Sequence, residues 1–368
     1  MRQMLKILLV ILMSAAPVFA QSIISPEVHP DGRVTFRLKA PEAKEVQLHC
    51  QTVKGAVMQK DDQGIWSFTT DPLEPDIYAY SFNVDGLHVI DPSNPLIKYN
   101  LRNIDSQVHV PGPKSLPWEI NDVPHGVLHQ HFYKSAVASD ERNFVVYTPP
   151  GYDPTARKRY PVLYLLHGSS DDSTAWSSVG LANVILDNLI ARGQAKSMIV
   201  VMPLGYGASD IVKSGGDPKD RWVRNLDSFG ETLLNEVMPQ VDKSYKIKNG
   251  RDACAIAGLS MGGAESLVVG LNHLDRFAWI GGFSSGGFST NLASQFPTLN
   301  EKTDRQFRLL WIACGKDDFL NRQNHDLIDL FKSKGVHPTW TESPGEHSFI
   351  VWRRYLAAFA PLLFQGVK

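Results

Sequence analysis

The sequence predicts a mostly parallel α/β sheet with helices on both faces, preceded by a small all-β sandwich. Three observations predict it. Short alternating strands separated by turn residues run from about Ile23 to Pro117. From about Val123 onward, continuous apolar runs alternate with segments of helical spacing. The chain has 368 residues, enough for two units at roughly 150 residues each. The composition, 43% hydrophobic and 20% charged, is that of a globular protein and excludes disorder, collagen and coiled coil as the main state. A formal net charge of −1 without basic runs gives no electrostatic reason to expect a nucleic-acid partner.

Residues 1–20 read as a cleavable export signal. Arg2 and Lys6 precede the apolar run Ile7–Met13, and the small residues that follow end at Ala20, with Val18 a mild departure from the Ala-x-Ala pattern. The run is short for a membrane span, and no Cys follows the cleavage site, so neither a transmembrane nor a lipid anchor is expected. The protein is therefore expected to be exported, periplasmic or secreted, with no membrane association after cleavage. The cysteines, Cys50, Cys254 and Cys314, are too few and odd in number for a disulfide framework and read as buried thiols.

Residues 21–117 carry the sandwich. Val34–Leu38, Val46–Cys50 and Ile77–Val84 alternate with period two, and Pro30-Asp31-Gly32, Asp61–Gly64 and Asp85-Gly86 supply the turns. No catalytic constellation is visible there. Asp91–Pro95 and Pro111-Gly112-Pro113 mark a loop-rich linker into the second unit, residues 118–368. In that unit Phe144–Thr148, Val162–Leu166, Ser197–Met202, Ala253–Ala257, Ala278–Gly282 and Leu309–Ala313 read as strands. Leu181–Arg192, Phe229–Val241, a stretch after Glu265 and His325–Lys334 read as helices. The two units are expected to share a modest interface.

The strongest chemical signal is Gly258-Leu259-Ser260-Met261-Gly262-Gly263, between an apolar strand and a helix-capable stretch. G-x-S-x-G in that context is a nucleophile elbow, a sharp turn that lifts the serine hydroxyl clear of the sheet. Serine is a weak nucleophile and needs a base oriented by a third group, which in this arrangement follow in the order acid, then histidine. Downstream of Ser260, His273 and His325 fall on helices and His337 beside a short strand, whereas His347 lies in a loop before the last helix. The acid candidates, Asp317 and Asp318, leave the strand that ends near Cys314. Counting G-x-x-D from Gly315 selects Asp318. An oxyanion needs two backbone N–H donors. Met261, directly after the nucleophile, is one. The other is expected from His167-Gly168-Ser169-Ser170, with Ser169 chosen and Gly168 and Ser170 as near alternatives. His167 reads as a residue that holds this loop.

These motifs stand together with Trp176, Ala182–Ile190, Cys314-Gly315-x-x-Asp318 and Gly345-x-His347-x-Phe349-x-x-Trp352. In that order they resemble the esterase D-type family of α/β-hydrolases, above all carbohydrate esterase family 1, the feruloyl and acetyl-xylan esterases. The resemblance spans about Val123 to Phe364 and implies an α/β-hydrolase fold, a serine acyl-transfer mechanism without a cofactor, the acid at Asp318, and a feruloyl or acetyl ester on a xylan-type polysaccharide as substrate. Enterochelin-type siderophore esterases share the fold and form the first alternative. A carbohydrate-binding protein without catalysis is the alternative of another class, and an intact Ser, Asp and His set argues against it. The N-terminal part resembles the early-set sandwich of family-48 carbohydrate-binding modules.

Trp176, Tyr206 and Trp352 fall in or near the site loops and are expected to contact a sugar or phenolic ring. His125, His129 and His131 come without a carboxylate or Cys at a familiar ligand spacing, so no metal site is expected.

Overall fold

A computed structural model describes residues 23–208, 211 and 218–366. The expected export signal lies outside the described residues. The first unit contains β1 (Glu27–Val28), β2 (Val34–Lys39), β3 (Val46–Cys50), β4 (Val53–Val57), β5 (Gln59–Lys60), β6 (Ile65–Thr69), β7 (Asp76–Val84), β8 (Leu87–Val89), β9 (Ile97–Lys98) and β10 (Asp105–Val110). They form two sheets, β1-β2-β6-β5 and β4-β3-β7-β10-β9, with β8 paired to β7. Successive side chains of a strand point to opposite faces. Val34, Phe36 and Leu38 of β2 thus meet Val46 and Leu48 of β3 and Tyr78, Tyr80 and Phe82 of β7 in one core between the sheets.

The second unit opens with β11 (Val127–Lys134), β12 (Glu141–Thr148) and β13 (Val162–Leu166), then α1 (Ala175–Ser178), α2 (Ala182–Ala191) and β14 (Ile199–Pro203). It continues with α3 (Pro218–Thr232), a π-helical turn over Leu233–Val237, α4 (Met238–Ser244), β15 (Cys254–Leu259), α5 (Met261–Asn272) and β16 (Trp279–Phe283). Last come β17 (Leu309–Gly315), α6 (Asn321–Ser333), β18 (Thr339–Ser343) and α7 (Phe349–Phe359). The sheet order is β11-β12-β14-β13-β15-β16-β17-β18. The β11–β12 and β12–β14 pairs are antiparallel, and every pairing from β14 to β18 is parallel. β13, β15 and β16 are buried on both faces, as strands of a covered parallel sheet must be. Val162, Tyr164 and Leu166 face one helical layer with residues of α3 and α5, while Leu163 and Leu165 face the other with residues of α2 and α7. From β13 the chain goes to β14 on one side, while β15 lies on the other, so the loops leaving the two strands diverge and open a crevice at their carboxyl ends.

The helix expected from Phe229 is the second half of a run that begins at Pro218. Its first turns carry few apolar residues, so periodicity alone could not reveal them. The three cysteines are buried and unbridged. Among the described residues no helix is long and apolar enough to cross a membrane, and no group of three or more His, Cys, Asp or Glu could hold a metal ion. His131 instead contacts the Tyr245 hydroxyl at 2.5 Å, and His129 contacts the Thr148 hydroxyl at 3.1 Å.

The two units meet at a buried ion pair. Arg353 of α7 is wholly buried and donates from Nε to Asp76 Oδ1 of β7 at 3.1 Å. Its remaining N–H groups reach the carbonyls of Val179 at 2.9 Å and Ile77 at 2.8 Å. Arg354 adds a contact to the other oxygen of Asp76 at 3.1 Å, and Ile350 of α7 packs against the sandwich core. Removing one partner of such a pair strands a charge away from water. Asp76→Ala is therefore expected to lower the unfolding free energy of the full chain by about 3–5 kcal/mol, measured by urea denaturation. Asp76→Ala combined with Arg353→Met should recover a large part of that loss.

Candidate active site

Ser260 stands between the end of β15 and the start of α5, with φ 53° and ψ −118°. A non-glycine residue in this region stores about 1–3 kcal/mol of strain and persists only where its surroundings enforce it. Ser260 N–H donates to Phe283 O at 2.8 Å, and Ser260 O accepts from Ala264 N–H at 3.1 Å and Gly286 N–H at 3.0 Å. The flanking glycines let the turn close: a Cβ on Gly258 would lie 2.4 Å from Gly262 O, and one on Gly262 would lie 2.4 Å from His167 O.

The turn carries the serine hydroxyl to His347, whose Nε2 is 3.0 Å from Ser260 Oγ. The other ring nitrogen, Nδ1, is 3.0 and 2.9 Å from the two oxygens of Asp318. If Nδ1–H donates to the carboxylate, Nε2 is left to accept the serine proton. Asp318 is buried, which by itself raises its pKa. The hydrogen bond and charge of His347, the Leu320 N–H at 2.8 Å and the Ser284 hydroxyl outweigh burial and hold the carboxyl below its ordinary value. Asp317 points elsewhere: it is exposed and accepts from Gly345 N–H at 3.3 Å, pinning the loop that carries His347. The imidazole sits between two aromatic rings, Phe319 at 4.5 Å and Trp352 at 4.8 Å between centroids.

A recess of about 180 Å³ opens beside Ser260 and His347, walled by Gly168, Ser169 and Trp352. The loop after β13 passes close over Ser260, for a Cβ on Gly168 would come within 3.2 Å of Ser260 Cβ. His167 is buried; its Nδ1 meets Gly168 O at 2.8 Å and its Nε2 accepts from Gly205 N–H at 2.8 Å. Burial lowers its pKa, which keeps the ring neutral and suited to both bonds. Met261 opens α5 with its side chain packed against Tyr206 and Ile211.

Of the three aromatic residues expected to contact substrate, Trp176 does not face the recess. It is 1% exposed, donates from Nε1 to Leu166 O at 2.8 Å and packs edge-on against Phe283 and Phe349. Its place is the core behind the site, because α1 buries it against the ends of the central strands β13 and β16. Trp352 lines the recess with one edge while its Nε1 donates to Ser284 Oγ at 3.1 Å. Tyr206 is buried against His167, donates to Asp171 O at 3.0 Å and lines a second recess of about 190 Å³ with Leu101, Ser169 and Ser170.

Several residues at the site escaped the sequence reading. Lys98 and Asn100, from the sandwich, line the Ser260 recess. Asn100 Nδ2 donates to Asp171 Oδ1 at 2.9 Å, and Leu101 N–H donates to Ser170 O at 2.7 Å, so the first unit is hydrogen-bonded to the loop that crosses Ser260. Phe319 is 76% exposed beside His347; its position directly after Asp318 was the available signal. Glu265 and Asn225 lie buried behind the elbow.

Residues 135–362 match the family model Esterase, described as "Putative esterase". A protein of Xylanibacter ruminicola named endo-1,4-beta-xylanase/feruloyl esterase is 31% identical over 348 residues, covering 92% of this chain. The chain spans only 46% of that relative's length. An acetyl esterase of Caldicellulosiruptor saccharolyticus is 26% identical, over 53% of this chain and 80% of its own. Among solved structures, a CE1 ferulic acid esterase of Anaeromyces mucronatus in complex with ferulic acid aligns at TM-score 0.60 and 23% identity, over 70% of this chain and 97% of its own. The enterobactin esterase of Shigella flexneri aligns at TM-score 0.67 and 20% identity, over 91% of this chain and 94% of its own. These neighbours share the α/β-hydrolase fold, and with the family model matched over more than half of its length, the chain belongs to the Esterase family.

Proposed function

We propose that this protein is an exported serine carboxylesterase that removes feruloyl or acetyl groups from a plant cell-wall polysaccharide such as xylan. The observation that carries the catalytic part is the alignment of Ser260 Oγ, His347 Nε2 and Asp318 on the far ring nitrogen, with both links at about 3 Å. In this reading His347 takes the proton of Ser260 as its oxygen attacks the ester carbonyl. The backbone N–H groups of Met261 and Ser169 receive the oxyanion, and Asp318 stabilises the imidazolium without taking its proton. His347 then protonates the leaving alcohol. Water, activated by the same histidine, releases the acid and restores Ser260.

The substrate class is supported by the xylanase/feruloyl esterase relative, whose similarity extends over 92% of the chain and so includes the sandwich. Export is supported by the charged and apolar leader at residues 1–20. A second reading, hydrolysis of a catecholate siderophore ester, is favoured by one specific observation. The enterobactin esterase structure aligns over 91% of the chain, against 70% for the ferulic acid esterase.

Purified mature protein assayed on methyl ferulate, acetylated xylan, enterobactin and p-nitrophenyl acetate tests these readings together. The proposal expects the highest kcat/KM on the feruloyl or acetylated xylan substrate. A preference for enterobactin would move the assignment to the second reading, and glycan binding without turnover of any ester would leave a non-catalytic binder.

Within the preferred reading, Ser260→Ala should lower kcat by several orders of magnitude, on the order of a million-fold as in the best-studied triads. Asp318→Asn should cost about 10⁴-fold in kcat by presenting the wrong imidazole tautomer. Asp317→Asn should stay within a few-fold of wild type in the same assay, because Asp317 touches the loop and not the ring.

A further inference from the structure

Behind the elbow lies a polar cluster that the proposed mechanism does not use. Glu265, one turn along α5 from Ser260, is fully buried. Its Oε1 accepts from Asn225 Nδ2 of α3 at 2.8 Å, and its Oε2 has no hydrogen-bond partner among the described residues. The same Asn225 amide donates to Gly205 O at 3.2 Å and touches Met261 Sδ at 3.6 Å. Asn225 Oδ1 accepts from Gly207 N–H at 2.7 Å. Gly205 N–H in turn donates to His167, which bonds Gly168 O. A Cβ added to Gly205 would lie 3.1 Å from Met261 Cε, 3.2 Å from Glu265 Oε2 and 3.4 Å from His167 Cε1. The carboxyl thus stands where three segments converge: the start of α5, the loop after β14 and the loop after β13.

Resting on the serine-esterase reading of the site, we infer that Glu265, acting through Asn225, is a positioning residue that fixes the two oxyanion donors, the Met261 and Ser169 N–H groups, relative to one another. Met261 opens α5 and Ser169 lies in the loop after β13, both beyond the last paired residues of β13 and β15. The β13–β15 pairing and the close approach of Gly262 to the His167 backbone set the coarse spacing, and the Glu265–Asn225–Gly205–His167 chain is a connected path that refines it between the elbow and the crossing loop. Oxyanion stabilisation depends on donors being held in advance at about 2.7–3.1 Å from the forming charge, so a small drift in their spacing costs rate more than substrate binding.

Glu265 does this as a neutral acid. Burial pushes its carboxyl well above the usual range, opposed only by the Asn225 hydrogen bond. Among the described residues, the titratable groups nearby are His167, kept neutral by burial, and Tyr206, whose hydroxyl is pushed up by burial. A fixed negative charge behind the donors would oppose the oxyanion, and a neutral side chain removes that conflict.

The test compares Glu265→Gln, Glu265→Met and Asn225→Leu in the full chain. The readouts are kcat, KM and the affinity of a trifluoromethyl ketone that mimics the tetrahedral adduct of the best ester substrate. Glu265→Gln keeps an acceptor for Asn225 and should stay within about threefold of wild type. Glu265→Met and Asn225→Leu cut the link from either end. Each should lower kcat about 10–100-fold, short of the 10²–10³ lost with a whole donor, with KM within threefold and ketone affinity falling by the same factor as kcat/KM. Unchanged kcat in the folded Met or Leu variant, or a loss confined to KM, overturns the inference. So does a Gln variant as impaired as the Met variant.

A stability measurement applies even if the disruptive variants do not fold. Above about pH 4.3 the unfolded glutamate ionises while the folded one keeps its proton, so wild type loses stability as pH rises and Glu265→Gln does not. The stability gap in favour of Gln should widen from pH 4 to pH 8, and a gap that stays flat overturns the neutral-acid role. If wild type shows no Ser260-dependent turnover of any ester, the functional reading itself fails. If it turns over and the Met variant matches it, only this inference does.

Discussion

Ser260 is held at φ 53°, ψ −118°, and the rest of the site is arranged around the surroundings that keep it there. The serine must leave β15 and enter α5 within one residue, which is possible because Gly258 and Gly262 can nearly touch across the turn. The hydrogen bond to Phe283 O ties the turn to β16, and the one from Gly286 N–H ties it to the loop that follows. Strain of this kind is a stored cost of about 1–3 kcal/mol. In return, the hydroxyl stands clear of the sheet at the crevice, with the start of a helix behind it to favour developing negative charge.

Asp318 and His347 arrive from strands beyond β16. β17 delivers Asp318 one turn past its end, and the loop between β18 and α7 delivers His347. That loop is fixed at several points: Asp317 holds Gly345, Phe319 and Trp352 flank the imidazole, and α7 begins directly behind it. Because α7 also carries Arg353 into the buried pair with Asp76, the helix that follows the histidine is anchored on the sandwich. The sandwich reaches the site a second time through Asn100 and Leu101, which bond the loop crossing Ser260. The first unit is thus structurally continuous with the crevice.

The parts of this arrangement legible in the sequence are those encoded by local spacing. G-x-S-x-G after an apolar run locates the elbow because strand, turn and helix are consecutive. His347 emerges by elimination because His325 falls on a helix and His273 and His337 adjoin the ends of regular elements, and G-x-x-D counts from the end of a strand. What could not be read depends on contacts between distant segments. Asn100 meets Asp171 across 71 positions, Asn225 meets Glu265 across 40, and Arg353 meets Asp76 across 277. Nothing in the immediate neighbourhood of these residues marks them. Trp176 shows the opposite failure: a large aromatic in a site-edge segment looks like a binding surface until its one-turn helix is seen to point inward.

The central claim is that Ser260, and no neighbouring hydroxyl, is the activated nucleophile. Ser169, Ser170 and Ser348 line the same or adjoining recesses, so the identity of the modified residue discriminates sharply. The direct measurement is treatment of the folded full chain with a fluorophosphonate, followed by peptide mass mapping. The account predicts one stoichiometric adduct on Ser260, absent from Ser260→Ala. An adduct on another serine, or a folded protein that takes up no label at all, would contradict it.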